Sequence, residues 1–202
     1  MERIFCISAT LPLDAMTLNT ESGVAVRIPT IRLRSDKKIL MPYTLTPLCV
    51  ATESPTRWTD FANLLREYAN TELAEPHLST IWQDLKDLTA RYAEPNGAAV
   101  LLYVDDALAG CVAFTSTRHC GTCEVKRLYV RGEFRRHGWG PLLLREVLHR
   151  ARCAGFTQVV LSTWPDNPKA LALYKKLGFV PVPSFKESPG QTLIFLGCDL
   201  TA

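Results

Sequence analysis

The chain has 202 residues, of which 47% are hydrophobic and 21% charged, as is typical of one globular domain or one domain with an extension. The net charge of +3 is too small to require a nucleic-acid partner, and no apolar stretch approaches the roughly 18 residues of a membrane-spanning helix. Seven cysteines without a clear secretory signal favour free thiols in a reducing compartment, so we expect a cytoplasmic protein.

Residues 1–43 differ in composition from the rest and show no sustained helical period. Val24, Val26 and Ile28 alternate, and the end of this stretch is basic. We expect a loosely ordered, solvated extension, with a nucleic-acid or membrane tether as the alternative. In a third interpretation, translation starts at Met41, just before the domain that we assign to residues 44–202. A peptide covering residues 20–34 in the native protein would exclude that reading.

Hydrophobic periodicity and turn residues divide the domain into alternating strands and helices. In chain order these are a strand at 45–51, helices at 57–70 and 79–92, strands at 98–104, 108–115 and 124–130, a helix at 141–154, a strand at 157–163, a helix that begins at Pro168 and ends before Gly178, and strands at 179–182 and 192–200. The order β-α-α-β-β-β-α-β-α-β-β predicts a mixed α/β fold.

Capping residues indicate where several of these helices begin and end. Ser79 is the expected N-cap of the second helix. Pro141 and Pro168 suit the first position of the helices that they open, because proline fixes φ and needs no N–H there. Gly155 and Gly178 follow the ends of the same two helices.

Arg135-Arg136-His137-Gly138-Trp139-Gly140-Pro141 lies between a predicted strand and a predicted helix. Such a turn points free backbone N–H groups and the positive end of the helix dipole at one spot. Gly138 and Gly140 lack Cβ atoms, so an anion can approach the main chain closely. Arg127 and Arg131 also flank the turn. The pattern predicts a binding site for a pyrophosphate.

Two common phosphate-binding motifs do not fit this turn, because Leu143 stands where a Rossmann fingerprint needs glycine and no Gly-Lys-Ser/Thr follows. The pattern Arg-x-x-Gly-x-Gly after a strand resembles the acetyl-CoA-binding segment of the GNAT acetyltransferase superfamily. The segment from Asn167 to Phe179 is similar to the closing segment of that superfamily. The resemblance covers about residues 44–200 and implies the GNAT fold, a mostly antiparallel sheet with flanking helices.

The resemblance also implies a function, the transfer of an acetyl group from acetyl-CoA to a primary amine in a ternary complex, without a metal. The N–H groups from Arg136 to Gly140 would hold the pyrophosphate, although Pro141 lacks an N–H. Asn167 would contact the pantetheine arm, cap the last helix, or do both. The expected coenzyme-binding residues are Leu128, Tyr129 and Val130 along the strand, Arg135, Arg136, His137, Gly138, Trp139 and Gly140 in the turn, and Asn167.

Tyr174 occupies the position where the superfamily commonly has a tyrosine near the coenzyme sulfur, and a phenol can donate a proton to the departing thiolate. Its alternative role is packing of the last helix onto the sheet. Glu124 matches a catalytic glutamate of related enzymes and would accept the proton of the amine. Otherwise it is a strand-end carboxylate paired with an arginine. The other candidates for the base are His119, Glu72 and Glu75.

Cys120-Gly-Thr-Cys123 lies in a predicted turn, whereas a zinc site usually needs a second pair and a redox motif normally opens a helix, so we expect no metal or redox role. Two other classes compete with the enzyme: a non-catalytic acyl-CoA-binding regulatory module, and a nucleic-acid-binding protein using the arginines. The acceptor is open between a small amine and a protein lysine or N-terminus. Dimers are frequent among related proteins, so a homodimer is a further alternative.

Overall fold

A computed structural model of the chain describes residues 16–19, 25–28, 42–47, 55–73, 76–187 and 192–201. Within these ranges the strands are β1 Met16–Asn19, β2 Ala25–Ile28, β3 Tyr43–Pro47, β4 Gly97–Val104, β5 Ala107–Ser116, β6 Thr122–Val130, β7 Gln158–Thr163, β8 Val180–Pro181 and β9 Ile194–Asp199. The helices are α1 Pro55–Thr71, α2 Ile81–Asp84, α3 Leu88–Tyr92, α4 Trp139–Cys153 and α5 Pro168–Lys176.

All the described strands join one sheet in the order β1-β2-β3-β4-β5-β6-β7-β9-β8. Every neighbouring pair is antiparallel except β6 and β7, which confirms the predicted mixed, mostly antiparallel sheet. β1 and β2 add two short strands ahead of the predicted order. The rest of residues 1–41, including Met41, lies outside the described residues, so the loose order of the extension stays a prediction.

The helices cover both faces of the sheet, and side-chain alternation along β4 shows why. Val100 and Leu102 belong to a core shared with α4 and α5, whereas Leu101 belongs to a second core shared with α1, α2 and α3. Successive residues of a strand point to opposite faces, so an apolar strand such as this one can bury both. None of the helices in the described ranges is both long and apolar enough to cross a membrane.

β6 and β7 pair for only three residues, Thr122–Glu124 opposite Gln158–Val160. Beyond Glu124, no strand in the described part of the chain pairs with that side of β6. The backbone groups along this edge therefore have no strand partner, although the Val130 carbonyl accepts a hydrogen bond from Nε of Arg135 at 2.7 Å. The two strands end apart, and the space between them opens beside the N-terminal end of α5.

The prediction of a single helix over 79–92 is wrong. The chain forms α2 and α3 instead, because the Asp87 side chain accepts a hydrogen bond from the Ala90 N–H at 2.9 Å and so caps a new helix. Thr80 is the N-cap residue of α2, while Ser79 only accepts a hydrogen bond from the N–H of Ile81. The polar Asp84 is buried within this segment, which the apolar spacing does not indicate.

Helix α4 begins two residues earlier than predicted, so Pro141 is its third residue and not its first. Gly138 is the N-cap residue, with a positive φ of 84° that favours glycine. Helix α1 also begins two residues earlier than predicted, at Pro55, and ends one residue later, at Thr71, whereas the remaining proline and glycine end positions agree with the sequence. Pro168 opens α5, and Gly155 and Gly178 follow α4 and α5 in left-handed conformations.

A buried ion pair joins α2 to β6. Arg127 interrupts β6 with a positive φ of 61°, where the register with β5 also shifts, and its Nε lies 2.9 Å from Oδ2 of Asp84. Asp84 is fully buried and also accepts hydrogen bonds from Tyr92 and Arg91. Burial opposes ionisation of Asp84, but the charges of Arg127 and Lys126 and the Tyr92 hydrogen bond outweigh it, so the pKa of Asp84 is lowered.

We expect Asp84→Asn to lower the free energy of unfolding by about 3–5 kcal/mol at pH 7, because it leaves the Arg127 charge buried and unpaired. Urea denaturation measures this. Because the pKa of Asp84 is lowered in the folded state, its ionised carboxylate stabilises the fold above pH 3.8. The difference in free energy of unfolding between Asp84→Asn and the wild type should therefore decrease as the pH falls below that value.

Asp106→Asn is the matched control, since Asp106 is exposed in a turn with a φ of 61° that asparagine accepts readily. It should change the free energy of unfolding by no more than about 0.5 kcal/mol. An equal and small effect of both substitutions would contradict the role of the ion pair.

Candidate functional site

The turn between β6 and α4 carries free main-chain donors. After the short 3₁₀ turn Gly132–Phe134, the N–H groups of residues 136–140 donate to no acceptor among the described residues. The first hydrogen bond of the helix runs from the N–H of Leu142 to the carbonyl of Gly138. Because these N–H groups also lie at the positive end of the α4 dipole, the turn can bind an anion. A depression is lined here by Val130, Phe134, Arg135, Arg136, Gly138, Trp139, Gly140 and Pro141.

The two glycines of this turn serve different needs. Gly138 has a positive φ, although a Cβ there would meet nothing within 4 Å, so its requirement is conformational. Gly140 has no positive φ, and a Cβ there would lie at an ordinary 3.6 Å from Leu173. The fold therefore does not require glycine at position 140, which leaves close approach of a ligand as the reason for it.

The four arginines that the sequence places around the turn are not four free charges. Arg127 pairs with Asp84 in the interior, Arg131 with Glu67 at 2.9 Å, and Arg135 with Glu72 at 2.8 Å. Arg136 has no ion-pair partner within the described ranges. An anion in the turn would thus be held by main-chain N–H groups and the helix end, with Arg136 as the available cation.

A cleft opens where β6 and β7 separate. Four of the predicted site residues line it: Glu124 and Leu128 from β6, and Asn167 and Tyr174 from the start and interior of α5. Leu128 in the cleft and Val130 in the turn's depression are alternate residues of one strand and therefore point the same way. The unpaired edge of β6 thus connects the anion-binding turn with the cleft.

Tyr174 is 9% exposed and packs on Phe179, with ring centroids 5.7 Å apart. Its hydroxyl donates to no acceptor in the part of the chain that the structure describes. Burial, with a smaller contribution from Tyr68, raises the pKa of Tyr174, so the phenol stays protonated at neutral pH. The Asn167 side chain accepts a hydrogen bond from the Ala170 N–H at 3.1 Å, which confirms its capping role. Its contact with pantetheine stays a prediction.

Glu124 is the third residue of β6 and is almost fully buried. Its partners are lysines and not the arginine that the alternative reading expected. Lys186, on the connection between β8 and β9, donates a hydrogen bond to Oε1, and Nζ of Lys126 lies 4.0 Å from Oε2. Lys126 itself lines the cleft, where burial and the neighbouring Arg127 lower its pKa to about 8. Sequence reasoning missed both lysines.

The side chains of other predicted site residues lie outside both the cleft and the depression at the turn. The Tyr129 hydroxyl donates to Glu67 at 2.8 Å, and the imidazole of His137 contacts the carbonyl of Phe134 at 3.2 Å. Neither side chain lines the cleft or the depression at the turn. Among the alternative bases, His119 lies on the exposed turn before β6, Glu72 is paired with Arg135, and Glu75 lies outside the described residues.

The two cysteines of the Cys-x-x-Cys sequence occupy different environments. Cys120 is exposed on the turn, and Cys123 is buried within β6, where burial raises the pKa of its thiol to about 12. A thiol with a raised pKa is largely protonated at neutral pH and is a poor nucleophile or metal ligand. The described residues contain no group of three or more side chains placed to hold a metal ion.

The sheet order, the separated β6 and β7 and the anion-binding turn define an acyl-CoA N-acyltransferase. The model of the acetyltransferase (GNAT) family matches residues 58–179, and the chain belongs to this family. Acetyl transfer from acetyl-CoA is the general reaction of the family, which makes this protein an acyltransferase.

Two relatives share much of the chain. An uncharacterized N-acetyltransferase of Schizosaccharomyces pombe is 28% identical over 75% of this chain and 93% of its own length. An uncharacterized N-acetyltransferase of Bacillus subtilis is 28% identical over 57% of this chain and 72% of its own.

Among solved structures, GNAT-family acetyltransferases of Staphylococcus aureus and Streptococcus pneumoniae share the fold. Their TM-scores are 0.60 and 0.59, at 14% and 18% identity, over 78% of this chain and 99% of each of theirs.

We expect Gly140→Ala to weaken acetyl-CoA binding at least about tenfold, or about 1.4 kcal/mol, because the added methyl group would keep the pyrophosphate from the N–H groups. The free energy of unfolding should stay the same or rise by up to about 1 kcal/mol, since alanine is the better helix former. Calorimetric titration and urea denaturation measure the two quantities.

Gly132→Ala is the control, because a Cβ at Gly132 would meet no atom within 4 Å and the residue does not line the depression at the turn. It should leave the affinity for acetyl-CoA unchanged. If both variants bind acetyl-CoA like the wild type, the turn does not hold the pyrophosphate.

Proposed function

We propose that this protein transfers the acetyl group of acetyl-CoA to a primary amine by direct transfer in a ternary complex. The observation that carries the proposal is the connection between the turn at residues 136–140 and the cleft between β6 and β7. Unused N–H groups at residues 136–140 lead along the unpaired edge of β6 to a cleft that contains both Tyr174 and Glu124. A donor-binding turn, an acid and a base thus lie along one continuous path.

The coenzyme would bind as an added strand. Its pyrophosphate would accept hydrogen bonds from the turn, and the amides of its pantetheine arm would pair with the unpaired edge of β6 at residues 128–130. Asn167 would face the arm from the start of α5. The thioester would then enter the cleft between β6 and β7, which positions the carbonyl carbon before any chemistry takes place.

The reaction requires three proton transfers. The acceptor ammonium gives a proton to Glu124, and the freed nitrogen attacks the thioester carbonyl carbon. The C–N bond forms as the C–S bond breaks. The nitrogen releases its second proton to solvent, and the departing thiolate takes one from Tyr174. Solvent then reprotonates Tyr174 and removes the proton from Glu124. The products are the N-acetyl amine, CoA with a free thiol, and one proton.

The raised pKa of Tyr174 is compatible with the acid role. A phenol in this cleft is a weaker acid than free tyrosine, but a thiolate formed beside it would be desolvated too. Desolvation raises the basicity of any anion, so the match between the acid and the leaving group is retained. The hydroxyl also has no competing acceptor within the described residues, which leaves it available to the sulfur.

The acceptor would reach Glu124 from the opposite side of the cleft. A surface groove, which we call the outer groove, shares Glu124 with the cleft and is otherwise lined by Arg91, Thr115, Ser116, Thr117, Arg118, Phe185, Lys186 and Glu187. A carboxylate where two openings meet can take a proton from an amine that enters through one of them, and the freed amine can then attack a thioester that enters through the other. The outer groove suits a small amine as well as a side chain or N-terminus of a protein.

Two measurements test the function together. Acetyl-CoA should raise the melting temperature, because it binds the folded state, and at least one member of an amine panel should cause release of the CoA thiol. Stabilisation without thiol release from any amine, in a panel that includes amino acids, polyamines and lysine peptides, would contradict the transferase and favour a binding module.

Tyr174→Phe should lower kcat by about 100-fold while leaving the Kd for acetyl-CoA within about twofold, because the acid acts only on the leaving group. Thiol-release kinetics and titration separate the two effects. The control is Tyr103→Phe, which removes a hydroxyl that donates to Asp60 at 2.8 Å outside the cleft. Equal turnover of the two variants would exclude Tyr174 as the acid.

A further inference from the structure

Lys186 places an amine on the carboxylate that the proposed mechanism uses as its base. Its ammonium group donates a hydrogen bond to Oε1 of Glu124 and lies 5.4 Å from the centre of the Phe185 ring. The side chain is 32% exposed in the outer groove, whereas the Glu124 side chain is 10% exposed. The chain therefore presents one of its own primary amines where an external acceptor amine would have to bind.

We propose that Lys186 is an acetyl acceptor within the same chain, so that the protein acetylates itself at this residue when acetyl-CoA is bound. This inference rests on the proposed acetyl transfer and names one acceptor for it.

The local geometry favours Lys186 over Lys126, the other lysine near Glu124. Lys126 belongs to β6, its side chain is only 8% exposed, and its Nζ lies 3.4 Å from the Thr80 hydroxyl and 3.9 Å from Asp84. It is not within hydrogen-bond distance of Glu124. Lys186 bonds directly to Glu124 from a segment without regular secondary structure, so its side chain is less constrained as it attacks.

The self-acetylation step follows the same chemistry as the external reaction. The Lys186 ammonium gives one proton to Glu124, and Nζ attacks the thioester carbonyl carbon. The C–N bond forms, the C–S bond breaks, the nitrogen loses its second proton, and the thiolate takes a proton from Tyr174. After solvent restores Glu124 and Tyr174, the products are acetyl-lysine, CoA with a free thiol, and one proton. Because acetylation removes the lysine charge, Glu124 would lose this ion-pair partner.

The test incubates the full chain with acetyl-CoA and no added amine, and follows acetylation of each lysine by peptide mass spectrometry. We expect one acetyl group at Lys186, added much faster than at Lys175 and Lys176, which are exposed on α5 and report uncatalysed acetylation. The rate constant at Lys186 should not change when the protein is diluted, because the reaction takes place within one molecule.

Glu124→Gln and Tyr174→Phe should each slow acetylation of Lys186 by about 100-fold and leave Lys175 and Lys176 unchanged. Retained thermal stabilisation by acetyl-CoA shows that these variants fold and bind the donor. Lys186→Arg keeps a cation beside Glu124 and should remove the acetylated peptide altogether.

Acetylation of Lys186 no faster than of Lys175, or acetylation at Lys126 in its place, would overturn the inference. If added amines are acetylated while Lys186 stays unmodified, self-acetylation fails and the proposed function stands. If neither Lys186 nor any amine accepts an acetyl group although acetyl-CoA binds, both fail.

Discussion

The site depends on the early end of the pairing between β6 and β7. An unpaired strand edge in the middle of a sheet leaves N–H and C=O groups without partners, and such groups are costly unless water or a ligand satisfies them. Here the edge lies between a turn with free N–H groups and a cleft with ionisable side chains. A ligand with a charged end, an extended amide-containing arm and a reactive terminus matches this arrangement in order, which is why acetyl-CoA accounts for it better than a compact phosphate ligand.

The charged residues around this edge are arranged in pairs. Asp84 and Arg127 hold α2 against β6 in the interior, and Lys186 closes one side of Glu124. Pairing lets ionised groups remain buried beside the cleft, where an isolated charge would be neutralised by a shift in its pKa. Arg127 is also the residue at which β6 is irregular, with a positive φ, and the ion pair with Asp84 holds its side chain in place. The ion pair that joins α2 to β6 and the residue proposed as the base therefore lie a few positions apart in one strand.

Local sequence was sufficient wherever one short segment supplies all the interactions. The free N–H groups of residues 136–140 follow from a strand, a glycine-containing turn and a helix in succession. Asn167 caps α5 through an N–H three residues away, and Gly155 and Gly178 follow helix ends in the conformation that glycine favours. The error over residues 79–92 arose because apolar spacing continues through a segment where Asp87 starts a new helix and Asp84 is buried by partners far away in sequence.

The sequence by itself determined the family, the glycine-containing turn and the order of the elements, apart from β1, β2 and the break between α2 and α3. It also identified Glu124, Leu128, Asn167 and Tyr174, which the fold brings into one cleft. Only the tertiary structure determined which charged side chains form pairs. Arg127 is 43 residues from Asp84 and Lys186 is 62 residues from Glu124, and charge patterning along a chain does not specify a partner at such separations. Those contacts exist because the sheet and its connections bring distant segments together, and they determine which amine lies beside Glu124, the proposed base.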